Sequence, residues 1–215
     1  MIKNILFDFD GTLADTQEGI LATEREMLRR MGFPEPAREQ MCSAIGLPLP
    51  ESLRIGCDIP DERVDEAVKL YRDLFFDYAP QHIVIFEGVK ETLAAFAKQG
   101  IRMAIATSRS SNSLTAILET HQLADYFPER VTADCGIKAK PAPDMVLYLL
   151  DRMAIKAEET LVVGDTTFDL LMGKGAGCLT AGVSYGNHSR EMLATARPDW
   201  IVDRFPDLMP LLEKA

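Results

Sequence analysis

Cysteine and histidine are scarce in this sequence and widely scattered. The four cysteines include no Cys-x-x-Cys pair, and the three histidines stand apart from one another. Closely spaced ligands are what a zinc site needs, and closely spaced cysteines are typical of small disulfide-bonded domains. We therefore expect no zinc site and no disulfide framework. The four thiols, Cys42, Cys57, Cys135 and Cys178, should be reduced in a cytoplasmic protein.

Long hydrophobic runs are also missing. No stretch approaches the ~20 apolar residues that a membrane-spanning helix needs. The first apolar run, Ile5-Leu6-Phe7, is followed by the acidic residues Asp8 and Asp10, whereas a secretory signal has a longer apolar segment before its cleavage site. We expect neither export nor a membrane partner.

Positive charge is in short supply. The 215 residues include 23 lysines and arginines against 33 aspartates and glutamates, which gives a formal net charge of −10. A field of this sign repels nucleic-acid backbones and anionic lipid, so we expect no nucleic-acid partner. A small anionic substrate would need a local cation to overcome the field. We expect the chain to act as a monomer or a weak dimer.

The sequence does contain a regular alternation of short aliphatic runs and longer helical patterns. Unbroken apolar runs suit strands covered on both faces. Strand–helix alternation at this spacing predicts an α/β fold with a Rossmann-like, doubly wound parallel sheet. The predicted strands are 2–8, 102–107, 130–133, 160–164, 178–183 and 200–202. The predicted helices lie near 89–99, 110–120, 143–153, 167–175 and 205–213.

Residues 16–82 interrupt this alternation. Apolar residues recur there at helical spacing, as in Val64, Ala67, Tyr71 and Leu74, and the segment is far longer than a usual strand-to-helix connection. We therefore predict a helical cap at 16–82, inserted into a core made of 1–15 and 83–215. Ligands of open α/β sheets bind beyond the carboxyl ends of the strands, so a cap tethered there would cover the site.

Aspartates follow two of the predicted strands. Asp8 and Asp10 end the first strand and point to the same side of it, while Asp165 directly follows the fourth and Asp169 comes four residues later. An aspartate after a strand is often only a helix cap. Four carboxylates at one edge of the sheet would repel one another unless a cation relieves them. The pattern therefore favours a hard divalent cation, Mg²⁺, at these four residues.

Hydroxyl groups and a lysine follow two other strands. Thr107 and Ser108 come where a helix begins, which places backbone N–H groups and hydroxyls where they could hold a phosphate. Lys140 stands ahead of Pro141 and another predicted helix. Taken singly, Thr107 could be a helix cap and Lys140 a solvated surface charge, and Lys138 is a second candidate lysine. Together with the aspartates, these groups suit phosphoryl transfer.

Four motifs follow one another along the chain: Asp8-Phe9-Asp10-Gly11-Thr12-Leu13, Thr107, Lys140-Pro141, and Gly164-Asp165 through Asp169. In this order they resemble the motifs of the haloacid dehalogenase superfamily. Within it, the sequence is similar to the branch of capped phosphoglycolate-phosphatase-like and β-phosphoglucomutase-like proteins. The resemblance implies that Asp8 attacks phosphorus and that Asp10 is the general acid and base. It also implies that Asp8, the Asp10 carbonyl and Asp165 hold Mg²⁺ with support from Asp169, and that Thr107 and Lys140 bind the phosphoryl oxygens.

Several functions remain to be weighed within this resemblance. Asp10 disfavours dehalogenation, because a departing halide needs no proton whereas a phosphate ester does. It also disfavours a non-enzymatic phospho-acceptor, whose aspartyl-phosphate has to be long-lived. We predict a phosphatase acting on a small phosphorylated metabolite, such as a phosphoglycolate-like or sugar phosphate. A phosphosugar mutase is the alternative.

Two residues of the predicted cap are candidates for contacting the leaving group. By resemblance to capped relatives, the loop around Gly46 and the nearby Arg54 would face the substrate. Gly46 could instead mark a simple turn, and Arg54 could be a solvated charge on a helix. A closing cap suits small organic phosphates rather than macromolecules, but the sequence does not identify the metabolite.

Overall fold

The computed structural model describes residues 1–78 and 82–213. Within them the strands are β1 (Asn4–Phe7), β2 (Ala14–Asp15), β3 (Val84–Ile85), β4 (Arg102–Ala106), β5 (Glu129–Val131), β6 (Thr160–Gly164), β7 (Leu179–Val183) and β8 (Trp200–Val202). Six of these form a parallel sheet in the order β5-β4-β1-β6-β7-β8, and β2 and β3 form a separate antiparallel ribbon. The predicted α/β fold with a doubly wound parallel sheet is confirmed.

Helices connect successive strands of the sheet. The α-helices of the described residues are α1 (Gln17–Met31), α2 (Arg38–Ser43), α3 (Leu49–Gly56), α4 (Val64–Tyr78), α5 (Val89–Lys98), α6 (Ser111–Thr120), α7 (Asp144–Arg152), α8 (Thr167–Gly175) and α9 (Arg190–Thr195). Short 3₁₀ turns occupy Asp61–Arg63, Ala124–Tyr126 and Ala157–Glu159, and a longer 3₁₀ segment runs from Phe205 to Glu213. No helix within the described ranges is long and apolar enough to cross a membrane.

The core lies on both faces of the sheet because alternate strand residues point to opposite sides. Phe7 of β1 packs against Phe127 and Phe205, with ring centroids 6.1 Å and 5.6 Å apart. Its neighbour Leu6 lies in a second cluster with Met145 of α7 on the opposite face. Strands buried on both faces explain the unbroken apolar runs of the sequence.

The position of β1 determines where a ligand can bind. The chain leaves β1 for β4 and β5 on one side and returns to β6, β7 and β8 on the other. The order of strands therefore reverses between β1 and β6, and the crevice beyond the carboxyl ends of the strands at such a switch point is where open α/β sheets bind ligands. Asp8 and Asp165 follow these two strands directly.

A helical insertion, defined here as α1 to α4, separates β2 from β3. The ribbon pairs Ala14 with Ile85 and Asp15 with Val84, so the chain enters and leaves the insertion through one two-stranded connection. The insertion has its own apolar contacts, since Leu21 and Leu28 of α1 and Leu74 of α4 are buried. The cap predicted at 16–82 includes residues 79–81, which lie outside the described residues.

Three local features differ from the sequence predictions. The ribbon was not predicted, because two-residue strands are too short to show a periodic pattern. Helix α9 was not predicted either, since its six residues bury only Leu193. The predicted helix at 205–213 is a 3₁₀ segment, and Pro210 inside it lacks the N–H group that an α-helix would use there.

Candidate active site

Three buried carboxylates meet at the switch point of the sheet. Asp8 is 3% exposed, and Asp165 and Asp169 are fully buried. One carboxylate oxygen from each residue lies within 4.8 Å of the others. The structure therefore brings together three of the four aspartates that the sequence singled out, at a spacing that one cation could bridge.

Strand pairing and a helix cap explain this convergence. The backbone N–H of Asp8 donates to the carbonyl of Val163 over 2.9 Å, which extends the β1–β6 pairing to the first aspartate. Asp169 is the third residue of α8, and its Oδ2 accepts from the N–H of Thr166, at 3.1 Å, and from the Thr166 hydroxyl, at 2.6 Å. The Thr166 hydroxyl in turn accepts from the N–H of Asp169, which completes a capping box.

Two glycines let the backbone approach these carboxylates closely. Gly11 has a φ of 74°, and a Cβ there would overlap the Asp165 carboxylate. A Cβ on Gly164 would overlap the side chain of Asp169. Any side chain at either position would therefore displace an aspartate of the cluster.

The donor set suits a hard divalent cation. Asp8 Oδ1 is buried and lies 2.8 Å from the Lys140 ammonium, with no other hydrogen-bond partner among the described residues. Burial and, after it, the charge of Asp169 raise the pKa of Asp165 to about 7, against the lowering effect of the hydrogen bonds from Asn187. Burial likewise raises the pKa of Asp8. Three buried carboxylates beside one ammonium group leave an excess of negative charge, which a cation such as Mg²⁺ would balance.

Lys140 lies against the same cluster. Its ammonium is 2.8 Å from Asp8 Oδ1 and 2.6 Å from Asp169 Oδ1. Burial lowers the pKa of Lys140, but the charges of Asp169 and Asp8 outweigh burial and raise it overall, so the lysine stays ionised. Lys138 is exposed. Of the two candidate lysines, Lys140 is therefore the one that the fold places at the site.

Asp10 lies beside the cluster and is held by two neighbours. Thr16 donates its hydroxyl to Asp10 Oδ1 over 2.6 Å. Arg109 donates from Nε to Asp10 Oδ2 over 3.1 Å and from Nη2 to Oδ1. Burial raises the pKa of Asp10, but the charge and hydrogen bonds of Arg109 outweigh burial and lower it overall. Asp10 is therefore ionised in this arrangement.

Arg109 is a residue whose importance the sequence did not reveal. It is 9% exposed, donates to Ser113 Oγ over 2.7 Å, and lies with its guanidinium carbon 4.8 Å from the ring centroid of Phe75 in α4. It therefore joins Asp10 of the core to the helical insertion. Its position directly after Thr107-Ser108 was a signal, but an arginine at a helix start is usually solvated.

Thr107 and Ser108 lie where β4 ends, as predicted. Thr107 is buried, its N–H donates to the carbonyl of Val131, and its hydroxyl accepts from the N–H of Arg109. Ser108 donates its hydroxyl to the carbonyl of Gly46 over 2.8 Å. The core thus contacts the loop before α3 at Gly46, the insertion residue that the sequence proposed as a substrate neighbour.

A cavity of about 470 Å³ lies between the sheet and the insertion. Asp8, Asp10 and Thr107 line it from the core. The insertion contributes residues of α1, of α4 and of the loop at 45–47, including Glu24, Gly46 and Phe75. This volume matches a small organic ligand.

Arg54 does not take the position that was expected. Its Nε lies 2.6 Å from Asp61 Oδ1 in an exposed ion pair, and it is absent from the lining of the cavity. The expectation that Arg54 faces the leaving group is corrected by this pairing, because Asp61 directs the guanidinium towards solvent.

Asn187 is a further residue that the sequence did not point to. Its backbone N–H and its side-chain amide each donate to Asp165 Oδ2 over 2.7 Å. Thr12 donates to the other oxygen, Asp165 Oδ1, over 3.2 Å. These contacts fix the orientation of the Asp165 carboxylate, as groups around a metal ligand commonly do.

Known proteins match this chain over most of its length. The model of the family described as haloacid dehalogenase-like hydrolase matches residues 5–183. A protein of Dickeya dadantii (strain 3937) named "Probable phosphatase IndB" is 39% identical over 95% of this chain and 91% of its own length. The phosphoglycolate phosphatase of Vibrio parahaemolyticus is 30% identical over 98% and 96%, and the pyrophosphatase PpaX of Anoxybacillus flavithermus is 34% identical over 98% and 97%.

The fold also matches that of a solved structure. A Bacteroides fragilis protein whose title places it with the haloacid dehalogenase-like hydrolases superposes with a TM-score of 0.92 at 28% identity. The match covers 97% of this chain and all of the other. Because the match covers nearly the whole chain, it includes both the sheet and the helical insertion.

Proposed function

The chain belongs to the haloacid dehalogenase-like hydrolases and is a phosphatase of that family, and on this premise we propose the reaction that its site performs. The proposed reaction is the Mg²⁺-dependent hydrolysis of a small phosphorylated metabolite through an aspartyl-phosphate. Asp8 is the nucleophile in this proposal, and Asp10 is the general acid and base.

The proposal rests chiefly on the position of Asp8. Its carboxylate lies at the cavity, at the switch point of the sheet, next to Lys140 and to two further carboxylates. A carboxylate placed in this way can attack phosphorus once its charge is balanced, and the P–O bond to the leaving group breaks as the acyl phosphate forms. Water then attacks phosphorus and releases inorganic phosphate and the Asp8 carboxylate.

Asp10 serves the two proton transfers in this sequence. It would donate a proton to the leaving oxygen in the first step and take one from the attacking water in the second. The contact with Arg109 keeps Asp10 ionised, which suits the second role. The first role requires the guanidinium to move away or to share its charge with the bound phosphate, so we propose that the Arg109–Asp10 contact loosens for the first step and re-forms for the second.

The remaining groups hold the phosphate and a cation. We propose that Thr107, Ser108 and Lys140 bind the oxygens of the transferring phosphoryl group. Asp8, the backbone carbonyl of Asp10 and Asp165 would hold Mg²⁺, with Asp169 fixing Lys140 and completing the acidic cluster. When bound, the cation supplies positive charge to the phosphoryl oxygens and to the nucleophile.

The size of the cavity supports a small substrate. Relatives of this chain are named for phosphoglycolate and for pyrophosphate, both of which would fit within about 470 Å³. We propose a substrate of this size and place Gly46 beside its leaving group. Arg54 is not part of this site.

Release of phosphate from 4-nitrophenyl phosphate tests the proposal. The chain should hydrolyse the ester with Mg²⁺ and lose activity in a chelator. Asp8→Asn should lower kcat by ~10³-fold or more, because an amide is a poor nucleophile. Lys138→Ala is the matched control, since that lysine is exposed, and should retain activity. Turnover by Asp8→Asn at the native rate would refute the assignment of the nucleophile.

A further inference from the structure

Glu24 is a buried carboxyl group that the proposed reaction does not use. It lies on α1, is 1% exposed, and lines the same cavity as Asp8. Its Oε2 has no hydrogen-bond partner among the described residues. The Cys57 thiol hydrogen-bonds to the carboxyl group, so one of its two oxygens is left without a partner, and a buried polar atom in that state is costly. When such a residue lines a cavity, a ligand in the cavity can supply the missing hydrogen-bond partner.

Glu24 lines the cavity from the side of the insertion, and the nucleophile lines it from the side of the core. Asp8 and Thr107 belong to the core, whereas Glu24 belongs to the insertion and shares its wall with Ile20, Ser52 and Tyr71. If the phosphoryl group sits at Asp8, this wall is left to face the leaving group.

We propose that Glu24 binds a hydroxyl group on the leaving group of the substrate and thereby selects hydroxylated organic phosphates. This inference rests on the proposed phosphatase function. A neutral carboxyl group offers one O–H donor and one carbonyl acceptor, which a hydroxyl group matches on both sides. A leaving group that carries only negative charge offers no donor to Glu24.

The ionisation of Glu24 agrees with this pairing. Burial raises its pKa, and the hydrogen bond with the Cys57 thiol and the charge of Arg25 lower it by less, so that the pKa is about 8. The carboxyl group is therefore mainly protonated at neutral pH. An ammonium group on the substrate would instead need the ionised carboxylate, so the structure favours a hydroxyl group as the partner.

Matched pairs of alkyl phosphates test the inference. Propyl phosphate and glycerol 3-phosphate share a three-carbon chain but differ in hydroxyl groups, and 3-aminopropyl phosphate offers an ammonium group instead. The native protein should show a kcat/KM at least ~10-fold higher for glycerol 3-phosphate than for propyl phosphate, which corresponds to one good hydrogen bond. Equal values for the two esters would overturn the inference, as would a preference for the aminopropyl ester.

Variants at position 24 then link the preference to this side chain. Glu24→Leu should abolish the ratio between the two esters, because it removes the only group proposed to bind the additional hydroxyl groups. Glu24→Gln, which keeps a donor and an acceptor, should retain most of the ratio. Because both esters are assayed on one preparation, the ratio is unaffected by the fraction of folded protein, and the glutamine variant serves if the leucine variant does not fold.

Two controls separate this inference from the proposed function. Glu26→Gln alters a glutamate of the same helix that pairs with Arg29 and Arg30 outside the cavity, and it should leave the ratio unchanged. Hydrolysis of 4-nitrophenyl phosphate that depends on Asp8 would uphold the phosphatase even if Glu24→Leu preserved the ratio. That result would overturn the role of Glu24 alone.

Discussion

At the scale of single residues, Arg109 controls the protonation of Asp10. Its charge and hydrogen bonds lower the pKa of Asp10 against the effect of burial, so this carboxylate stays ionised as the pH falls. Methionine at position 109 would keep contact with Phe75 but carry no charge. Arg109→Met should therefore raise the pKa of Asp10 and move the acidic limb of the kcat–pH profile to higher pH, because a general base works only when ionised.

Hydrolysis of 4-nitrophenyl phosphate between pH 4.5 and 8 measures this shift. Arg54→Met is the matched control, since it removes an exposed arginine paired with Asp61 and should leave the acidic limb in place. An unshifted limb in Arg109→Met would contradict the assignment of Asp10 as the base.

Glu24 makes a separate prediction about stability. Its pKa is about 8 in the folded protein against 4.5 in its ordinary state, so between these values the folded chain holds a proton that the unfolded chain has released. Stability should fall as pH rises through this window, by up to ~1.4 kcal/mol per pH unit. Glu24→Gln cannot titrate, so its free energy of unfolding relative to the native chain should increase from pH 5 to pH 8.

Urea unfolding at three pH values checks this sign. Glu26→Gln is again the control: hydrogen bonds from Arg29 and Arg30 lower the pKa of Glu26 to about 2. Glu26 is ionised above pH 5 in both the folded and the unfolded chain. The difference in the free energy of unfolding between Glu26→Gln and the native chain should therefore be constant across the window. A constant difference for Glu24→Gln as well would show that Glu24 titrates normally.

The sequence could predict the aspartates but not the residues that hold them. Asp8, Asp165 and Lys140 follow strand ends in a fixed order, so their convergence follows from the topology of a parallel sheet. The roles of Arg109 and Glu24 depend on how the insertion packs over the core, for which no local pattern exists. The sequence could not show the direction of the Arg54 side chain. This arginine is close in sequence to residues that line the cavity, but it pairs with Asp61 instead.

At the scale of elements, the start of α8 combines a structural and a functional role. Thr166 caps the helix and its hydroxyl donates to Asp169. Thr166→Ala should cost ~1 kcal/mol of stability through the lost cap. It should also weaken Mg²⁺ binding, because Asp169 loses one of the groups that fix it.

Helix α9 provides the matched comparison. Ser189 caps it by accepting from the N–H of Met192 over 3.2 Å. Ser189→Ala should lose a similar amount of stability in urea unfolding while the Mg²⁺ concentration for half-maximal activity stays unchanged. If both variants shift that concentration equally, the effect of Thr166 is a general loss of stability.

Element boundaries show where sequence patterns lose their information. The strand β6 was predicted with its exact bounds because an apolar run of five residues ends in Gly164-Asp165. The ribbon of β2 and β3 has four residues in all, held by pairing between segments about 70 positions apart, and pairing over such a distance leaves no periodic signal. The prediction of a cap at 16–82 rested on helical spacing and on the length of the segment.

At the scale of the whole molecule, the folded chain concentrates charge that it cannot balance alone. The net charge of −10 is compounded at the switch point, where Lys140 faces three buried carboxylates. A site of this kind should bind a cation in the folded state but not in the unfolded chain, and such binding stabilises the fold. At a concentration of one hundred times Kd the gain is ~2.7 kcal/mol.

The effect of Asp165→Asn on stability should therefore depend on the metal: the variant should be at least as stable as the native chain without Mg²⁺ and less stable than it with Mg²⁺. At pH 8 in a chelator, the variant should be at least as stable as the native chain, since the pKa of Asp165 is raised to about 7 and its ionised form is disfavoured by burial. With Mg²⁺ in excess, the native chain should gain thermal stability and the variant little, because it has lost a ligand. Thermal unfolding with and without Mg²⁺ gives both comparisons, and Lys138→Ala should behave as the native chain. Equal stabilisation of Asp165→Asn and the native chain by Mg²⁺ would place the cation elsewhere in the molecule.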